Sequence, residues 1–294
     1  MRRLFPLAGP VPEQPAAREP SAGAAPGPTA SVRPAGPVTA PEAADASAAD
    51  RQWSLTEIAD GYAYPPLEQG QFWLRGNMVA SLDGAAHHDG RSQPLSCAAD
   101  MRIFGVLRAL ADVVVVGAQT VRQEGYGGAR PREAFAQRRA AAGQAPAAAI
   151  AVVTSGLDLD FDSPLFTSPA APTLLVTGAG APPHRLAAAR GAGAEVVLAG
   201  EGAAVEVDRV PALLAARGLR RQLTEGGPAL LGQFAAADVL DELCLTVAPR
   251  LVAGGAPRIA HGPDLALPSD FVLDSLLEEA GFLFTRYRRV RQSP

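Results

Sequence analysis

Leu223-Thr224-Glu225-Gly226-Gly227-Pro228-Ala229-Leu230-Leu231 decides the fold: a β-prone run ends in an acid and two glycines, then turns into an apolar helix. Such a turn aims unpaired main-chain N–H groups and the positive end of a helix dipole at one point, which suits a phosphate. Glycine lets the phosphate approach the backbone. Pro228 at the first helical position loses no hydrogen bond, because that N–H has no partner within the helix.

Working outward, the same alternation recurs. Residues 72–80 read as a strand closed by Ser81-Leu82-Asp83-Gly84, where Asp-Gly marks a turn. A polar loop runs through Arg91. Ser96 caps a helix over 97–111, with Met101, Phe104, Leu107 and Leu110 at helical spacing. Val113 to Val116 is a uniformly apolar strand of the kind covered on both faces. Further strands are read at 149–154, 173–177, 195–198, 221–224 and 242–247, with helices at 182–190, 208–217 and 228–236. Residues 271–278 and 282–290 read as an antiparallel pair closing the sheet edge. The expected fold is α/β: a mainly parallel central sheet with flanking helices and an antiparallel C-terminal strand pair.

The chain has 294 residues, 48% of them hydrophobic and 19% charged, ordinary values for a globular protein. Residues 1–50 are dominated by Ala, Pro and Gly with almost no large side chains, and read as a disordered tail before a single domain over 51–294. Arg2-Arg3 followed by Leu4-Phe5 resembles the start of an export signal, but Pro6, Pro10 and Pro12 break the apolar stretch. With no apolar run long enough to span a bilayer, the expectation is a cytoplasmic protein with no membrane partner. A net charge of −4 argues against nucleic acid. Cys97 and Cys244 read as small buried apolar residues. Every basic side chain is Arg, so no lysine can serve as catalytic base, Schiff-base former or P-loop ligand.

A second turn of the same physical type, Val116-Gly117-Ala118-Gln119-Thr120-Val121, follows the valine strand. Ligands of open α/β sheets lie outside the carboxyl ends of the strands, so two such turns suit the two halves of a dinucleotide.

Ser81-Leu82-Asp83-Gly84, Leu107-Arg108-Ala109-Leu110-Ala111-Asp112, Gly117-Ala118-Gln119-Thr120-Val121, Glu225-Gly226-Gly227-Pro228, Asp241-Glu242-Leu243 and residues 248–255 resemble, in order and spacing, the pyrimidine reductase domain of riboflavin biosynthesis. The resemblance covers roughly residues 72–290. It implies a dihydrofolate-reductase-like fold, NADPH as cofactor, a homodimer, and reduction of the ribose of 5-amino-6-(5-phosphoribosylamino)uracil to a ribityl chain. By the same resemblance Val79 and Ala80 lie beside the nicotinamide, Gly117, Thr120 and Glu124 contact the cofactor, and Ser155 sits near its adenosine end. Gly226, Gly227, Pro228, Ala229, Leu230 and Leu231 form the pyrophosphate-binding helix start. Ser92, Arg108, Arg130 and Glu225 fall on the substrate side, where forked guanidinium donors suit a phosphate and a carboxylate suits aminopyrimidine N–H groups.

The chain departs from the family over Arg122-Gln123-Glu124-Gly125-Tyr126-Gly127-Gly128-Ala129-Arg130, where an Asp-Asn-Pro run leading to a Leu-Thr-x-Arg loop is usual. A dihydropterin or dihydrofolate is the alternative substrate that such a loop would admit, and an NADPH-binding protein without turnover is the non-enzymatic alternative. The deaminase signature His-x-Glu with Pro-Cys-x-x-Cys is missing. Proton-donor candidates are Glu225, Glu124 and Asp83. His87-His88-Asp89 reads as a solvated loop rather than a metal cluster, His184 and His261 as lone loop histidines, Trp53 and Trp73 as packing residues, and Arg286, Arg288, Arg289 and Arg291 as a solvated strand face.

Overall fold

The computed structural model describes residues 1–4 and 52–291. In chain order the strands are β1 (Arg2–Arg3), β2 (Trp73–Ala80), β3 (Val113–Gly117), β4 (Ala149–Val153), β5 (Leu174–Thr177), β6 (Glu195–Leu198), β7 (Arg221–Thr224), β8 (Glu242–Val247), β9 (Phe271–Glu279) and β10 (Phe282–Arg289). The α-helices are α1 (Leu55–Gly61), α2 (Ala98–Leu110), α3 (Ala118–Glu124), α4 (Glu133–Ala141), α5 (Pro164–Thr167), α6 (Pro183–Gly191), α7 (Val210–Ala215) and α8 (Pro228–Ala236). Among the described residues the strands form one sheet in the order β1-β9-β10-β8-β2-β7-β3-β4-β5-β6. From β8 to β6 neighbours run parallel; β10 and β9 close the other side antiparallel. The fold class and the antiparallel pair are those expected.

The valine strand shows how the sheet is held. Val114 and Val116 join the core on one face, with Ile103, Val106 and Leu107 of α2; Val113 and Val115 join the other, with Leu230, Leu231 and Phe234 of α8. All four valines are fully buried, each contributing about 1.5–3 kcal/mol of transfer free energy. β-Branched side chains at period two thus bind both helical layers to one strand.

Three readings change. Met1 is buried and Arg2–Arg3 pairs with β9, so the first four residues belong to the sheet edge rather than the expected tail; residues 5–50 of that tail lie outside the described residues. Cys97, not Ser96, is the N-cap of α2, its Sγ accepting from the Asp100 N–H at 3.4 Å. Met101 is exposed and Phe104 only half-buried, because α2 buries Ile103, Val106, Leu107 and Leu110 and turns the Met101–Phe104 side to a cleft.

Arg286 is a further correction. It is buried beside Glu242, with Nε donating to Oε1 at 2.7 Å, while Arg75 Nη2 donates to Oε2 at 3.2 Å and Trp73 Nε1 to the same oxygen at 2.9 Å. Asp274 lies 3.0 Å from Arg286 and 2.9 Å from Arg288. Burial along β10 does not alternate: Arg286 enters an ionic core while Arg288, two residues on and on the same face by period, stays exposed, a difference that period alone does not show. Arg288 and Arg291 keep exposed side chains.

Candidate active site

The chain runs outward from β3 through β4 and β5 to β6, then returns to insert β7 between β3 and β2. Strand order reverses there, and the carboxyl ends of β2, β7 and β3 open onto one cleft of about 960 Å³. Asn77, Met78 and Val79 form its floor, α2 one wall, and the starts of α3 and α8 the other.

The two glycine turns meet. Gly117 N donates to Gly226 O at 3.0 Å, and Gly227 N donates to Thr120 Oγ1 at 2.7 Å. Gly226 has a φ of +81°, the left-handed region that glycine adopts without strain, and the Gly226–Gly227 peptide is cis. A β-carbon at Gly226 would lie 3.1 Å from Met78 Sδ and one at Gly227 would lie 3.0 Å from Thr120 Oγ1, so a side chain at either position requires its neighbour to shift. Neither α3 nor α8 has a side-chain cap at its N-terminus. Their first N–H groups are thus left for water or a ligand. Gly117, Thr120, Gly227, Pro228, Ala229 and Leu230 line the cleft. Two uncapped helix starts at one point fit a pyrophosphate, the part of a dinucleotide that needs most donors.

Other residues expected at the cofactor do not line the cleft. Ala80 is buried, its carbonyl taking the Ala248 N–H at 2.8 Å, and Leu231 packs into the core. Ser155 follows β4, the next strand out from β3, and is exposed outside the cleft lining.

On the facing wall, Arg108 and Glu225 come together. Arg108 Nε donates to Oε1 at 2.7 Å and Nη2 to Oε2 at 2.6 Å, a forked pair, and Nη2 also donates to the Tyr126 hydroxyl at 2.5 Å. The guanidinium lies 4.3 Å from the Phe104 ring centre and 4.9 Å from that of Tyr126. Burial pushes the Glu225 carboxyl above its ordinary range, and Arg108 pulls against that rise. Arg108 is therefore committed to a carboxylate rather than left as a free phosphate fork. Arg130, expected as its partner, is exposed and does not line the cleft. Glu124 and Ser92 also meet: Oε1 accepts from Ser92 N at 3.1 Å and Oγ at 3.0 Å, joining the end of α3 to the loop before α2.

Asp83 is outside the cleft. It accepts from Ser81 Oγ at 2.5 Å and from the main-chain N–H groups of Val252 at 3.1 Å and Ala253 at 2.7 Å. The Ser81 bond first, and then those two, hold its carboxyl down at about 2. It pins a loop, and a group held ionised in this way is a poor proton donor.

Several cleft residues escape sequence reasoning. Asp100 accepts from Ser96 Oγ at 2.5 Å and from Thr246 Oγ1 at 2.7 Å; its position three residues after the helix cap reads only as first-turn helix chemistry. His88 and Asp89 are exposed as expected, but His87 lines the cleft. His261 also lines it, held by His261 N donating to Pro228 O at 2.9 Å.

The RibD C-terminal domain family model matches residues 72–272, which include all of these cleft elements. The chain belongs to this family of pyrimidine reductases. Within the RibD C-terminal domain family, it is 28% identical over 188 residues to the 2,5-diamino-6-ribosylamino-4(3H)-pyrimidinone 5′-phosphate reductase of Archaeoglobus fulgidus, covering 63% of this chain and 84% of that one. It is 31% identical over 157 residues to the reductase of the same name from Aquifex aeolicus, covering 53% and 65%. Among solved structures, a pyrimidine reductase-like protein from Corynebacterium diphtheriae superposes with a TM-score of 0.70 at 26% identity, covering 80% of this chain and 99% of that one.

Proposed function

We propose that the protein is a cytoplasmic, NADPH-dependent reductase that converts 2,5-diamino-6-ribosylamino-4(3H)-pyrimidinone 5′-phosphate to its ribitylamino counterpart. The relatives from A. fulgidus and A. aeolicus are named for this 2-amino compound, not for the uracil expected from the sequence, and we take it as the first substrate. The observation that carries the reading is the hydrogen-bonded junction of the two helix starts at Gly117 and Gly227, opening on the same cleft as the Arg108–Glu225 pair.

In this reading the N–H groups of Ala229 and Leu230, with those that open α3, hold the pyrophosphate, and Val79 lies beside the nicotinamide. When bound, the reduced nicotinamide supplies a hydride. Glu225, oriented by Arg108, accepts from the amino groups of the pyrimidine, and Ser92 and Glu124 hold the cleft rim. The wall at Phe104 and Tyr126 keeps water from the reacting carbon. The active form is a homodimer; Leu82 and Leu251, exposed on neighbouring loops joined by Leu82 N donating to Arg250 O, supply apolar surface for a second copy.

The test is NADPH oxidation with the diaminopyrimidinone phosphate, its uracil counterpart and dihydrofolate side by side, together with light scattering for the oligomer. Turnover of the first in preference to the second is expected. Turnover of dihydrofolate alone would transfer the protein to the pterin reading, and binding without turnover of any would leave a nucleotide-binding protein.

A further inference from the structure

The three carboxylates expected to deliver a proton are all engaged: Asp83 outside the cleft, Glu124 on Ser92, and Glu225 on Arg108. Other titratable groups on the cleft wall are engaged too. Asp100 accepts from Ser96 and Thr246; Cys97 Sγ and the Tyr126 hydroxyl accept from the Asp100 N–H and from Arg108, and thiols and phenols are weaker acids than an imidazolium. His261 is exposed beside the start of α8.

His87 is different. It lines the cleft, and its Nδ1 is shut off from solvent without a hydrogen-bond partner. A buried polar atom left unpaired calls for an explanation; a nitrogen closed to water is closed to a ligand as well, so a half-turn of the ring about Cβ–Cγ is what brings Nδ1 to the cleft and to a partner there. The backbone on either side is fixed. Ala85 bridges to Arg258, Ala86 N donates to Pro257 O at 2.9 Å, and His88 exchanges both main-chain hydrogen bonds with Arg91 at 3.0 and 3.1 Å. The imidazole is thus presented from a segment clamped at both ends.

We propose that His87 is a catalytic residue that protonates the sugar ring oxygen of the substrate. This rests on the reading of the cleft as the site of a phosphoribosylaminopyrimidine. Imidazole is the side chain best suited to give a proton near neutral pH. The proton passes from the imidazolium to O4′ as the C1′–O4′ bond breaks and leaves a hydroxyl. The lone pair of the exocyclic nitrogen closes a C1′=N bond. C1′ then accepts the hydride and the nitrogen regains its lone pair as a secondary amine. One proton and one hydride are taken up per turnover, the substrate gains two electrons, and the nicotinamide loses them.

The experiment compares the unsubstituted protein with His87→Gln and His87→Ala. With saturating substrate, kcat is expected to fall on the order of 100-fold in both variants, with the NADPH Kd and the melting temperature unchanged and partial rescue of His87→Ala by added imidazole. A second readout needs no substitution and no cofactor: the imidazole nitrogen resonances of His87, followed by NMR while the ribitylamino product is titrated in, should move at Nδ1. A kcat within threefold of the unsubstituted protein, a rise in KM alone, or resonances that ignore the product would overturn the proposal. Turnover that survives substitution removes the role of His87 only. No turnover by the unsubstituted protein removes the reading of the cleft, and this role with it.

Discussion

Thr120 Oγ1 accepts the main-chain N–H of Gly227 at 2.7 Å, so one hydroxyl ties the helix start after β3 to the helix start after β7. These turns are 107 residues apart in the chain, and their relative position decides whether both can grip one pyrophosphate.

Thr120→Val removes that bond while keeping the branched shape. NADPH affinity is expected to weaken about tenfold, the worth of one hydrogen bond at about 1.4 kcal/mol, with the fold retained. Thr120→Ser, which keeps the hydroxyl, should stay near the unsubstituted Kd. Fluorescence titration of NADPH measures both.

Glu225→Gln replaces the forked ionic partner of Arg108 with a neutral amide. A guanidinium left in a half-buried site without its counter-charge costs roughly 2–5 kcal/mol of stability; loss of the charged acceptor for the pyrimidine amino groups, about 1.5–3 kcal/mol, is expected to lower kcat/KM by about 10- to 100-fold. Arg108→Lys should fare little better, because an ammonium cannot make the two parallel bonds or stack between Phe104 and Tyr126. Steady-state kinetics decide; retention of wild-type kcat/KM in both variants would remove the pair from the site.

Asp83→Asn tests the opposite expectation. Asp83 holds Val252 and Ala253 rather than facing the cleft, so the chemical step should change by no more than a few-fold while the 248–255 loop loosens. Hydrogen exchange of those two amides reads the loosening. A loss of kcat comparable to that of an essential acid would return Asp83 to the list of proton donors.

Glu242 governs acid stability. Burial alone would raise its carboxyl, but Arg75 and then Arg286 more than offset that and hold it at about 2, below the ordinary 4.5. A depressed folded-state value means that the network's contribution is fully present above about pH 4.5 and is lost as pH falls towards 2. Glu242→Gln leaves two buried guanidiniums short of a charge, and the expected loss at neutral pH is about 3–5 kcal/mol. Denaturant melts at pH 7 and pH 3 should show the two proteins converging in acid; a constant gap would contradict the assignment.

Periodicity and turn chemistry carried most of the strand and helix assignment. The valine strand, the Glu-Gly-Gly-Pro turn and the antiparallel end each have a local cause, a hydrophobic period or a backbone constraint, that acts within a few residues. Helices α1, α4 and α5 are not read from the sequence, although Ser54 and Glu57 form a capping box at the start of α1; α4 and α5 have no side-chain cap to mark their start. The helical face of α2 was misassigned because Met101 and Phe104 are apolar yet line a cleft: an apolar stripe marks a surface out of water without saying whether protein or ligand will cover it. Arg286 and Glu242 were hidden for the converse reason, since charged residues read as solvated until a partner from another strand is beside them.

The candidate site divides along the same line. By itself the sequence determined that two strand ends turn through glycine into helix starts, because glycine and proline act through local backbone geometry. Only the tertiary structure decided that these turns bond to each other, that Arg108 spends its fork on Glu225, that Asp83 and Arg130 stand outside the cleft, and that His87 stands within it. Those outcomes depend on insertion of β7 between β2 and β3 and on the clamp between residues 85–86 and 257–258. Both are contacts between segments far apart in the chain, and local pattern does not encode them.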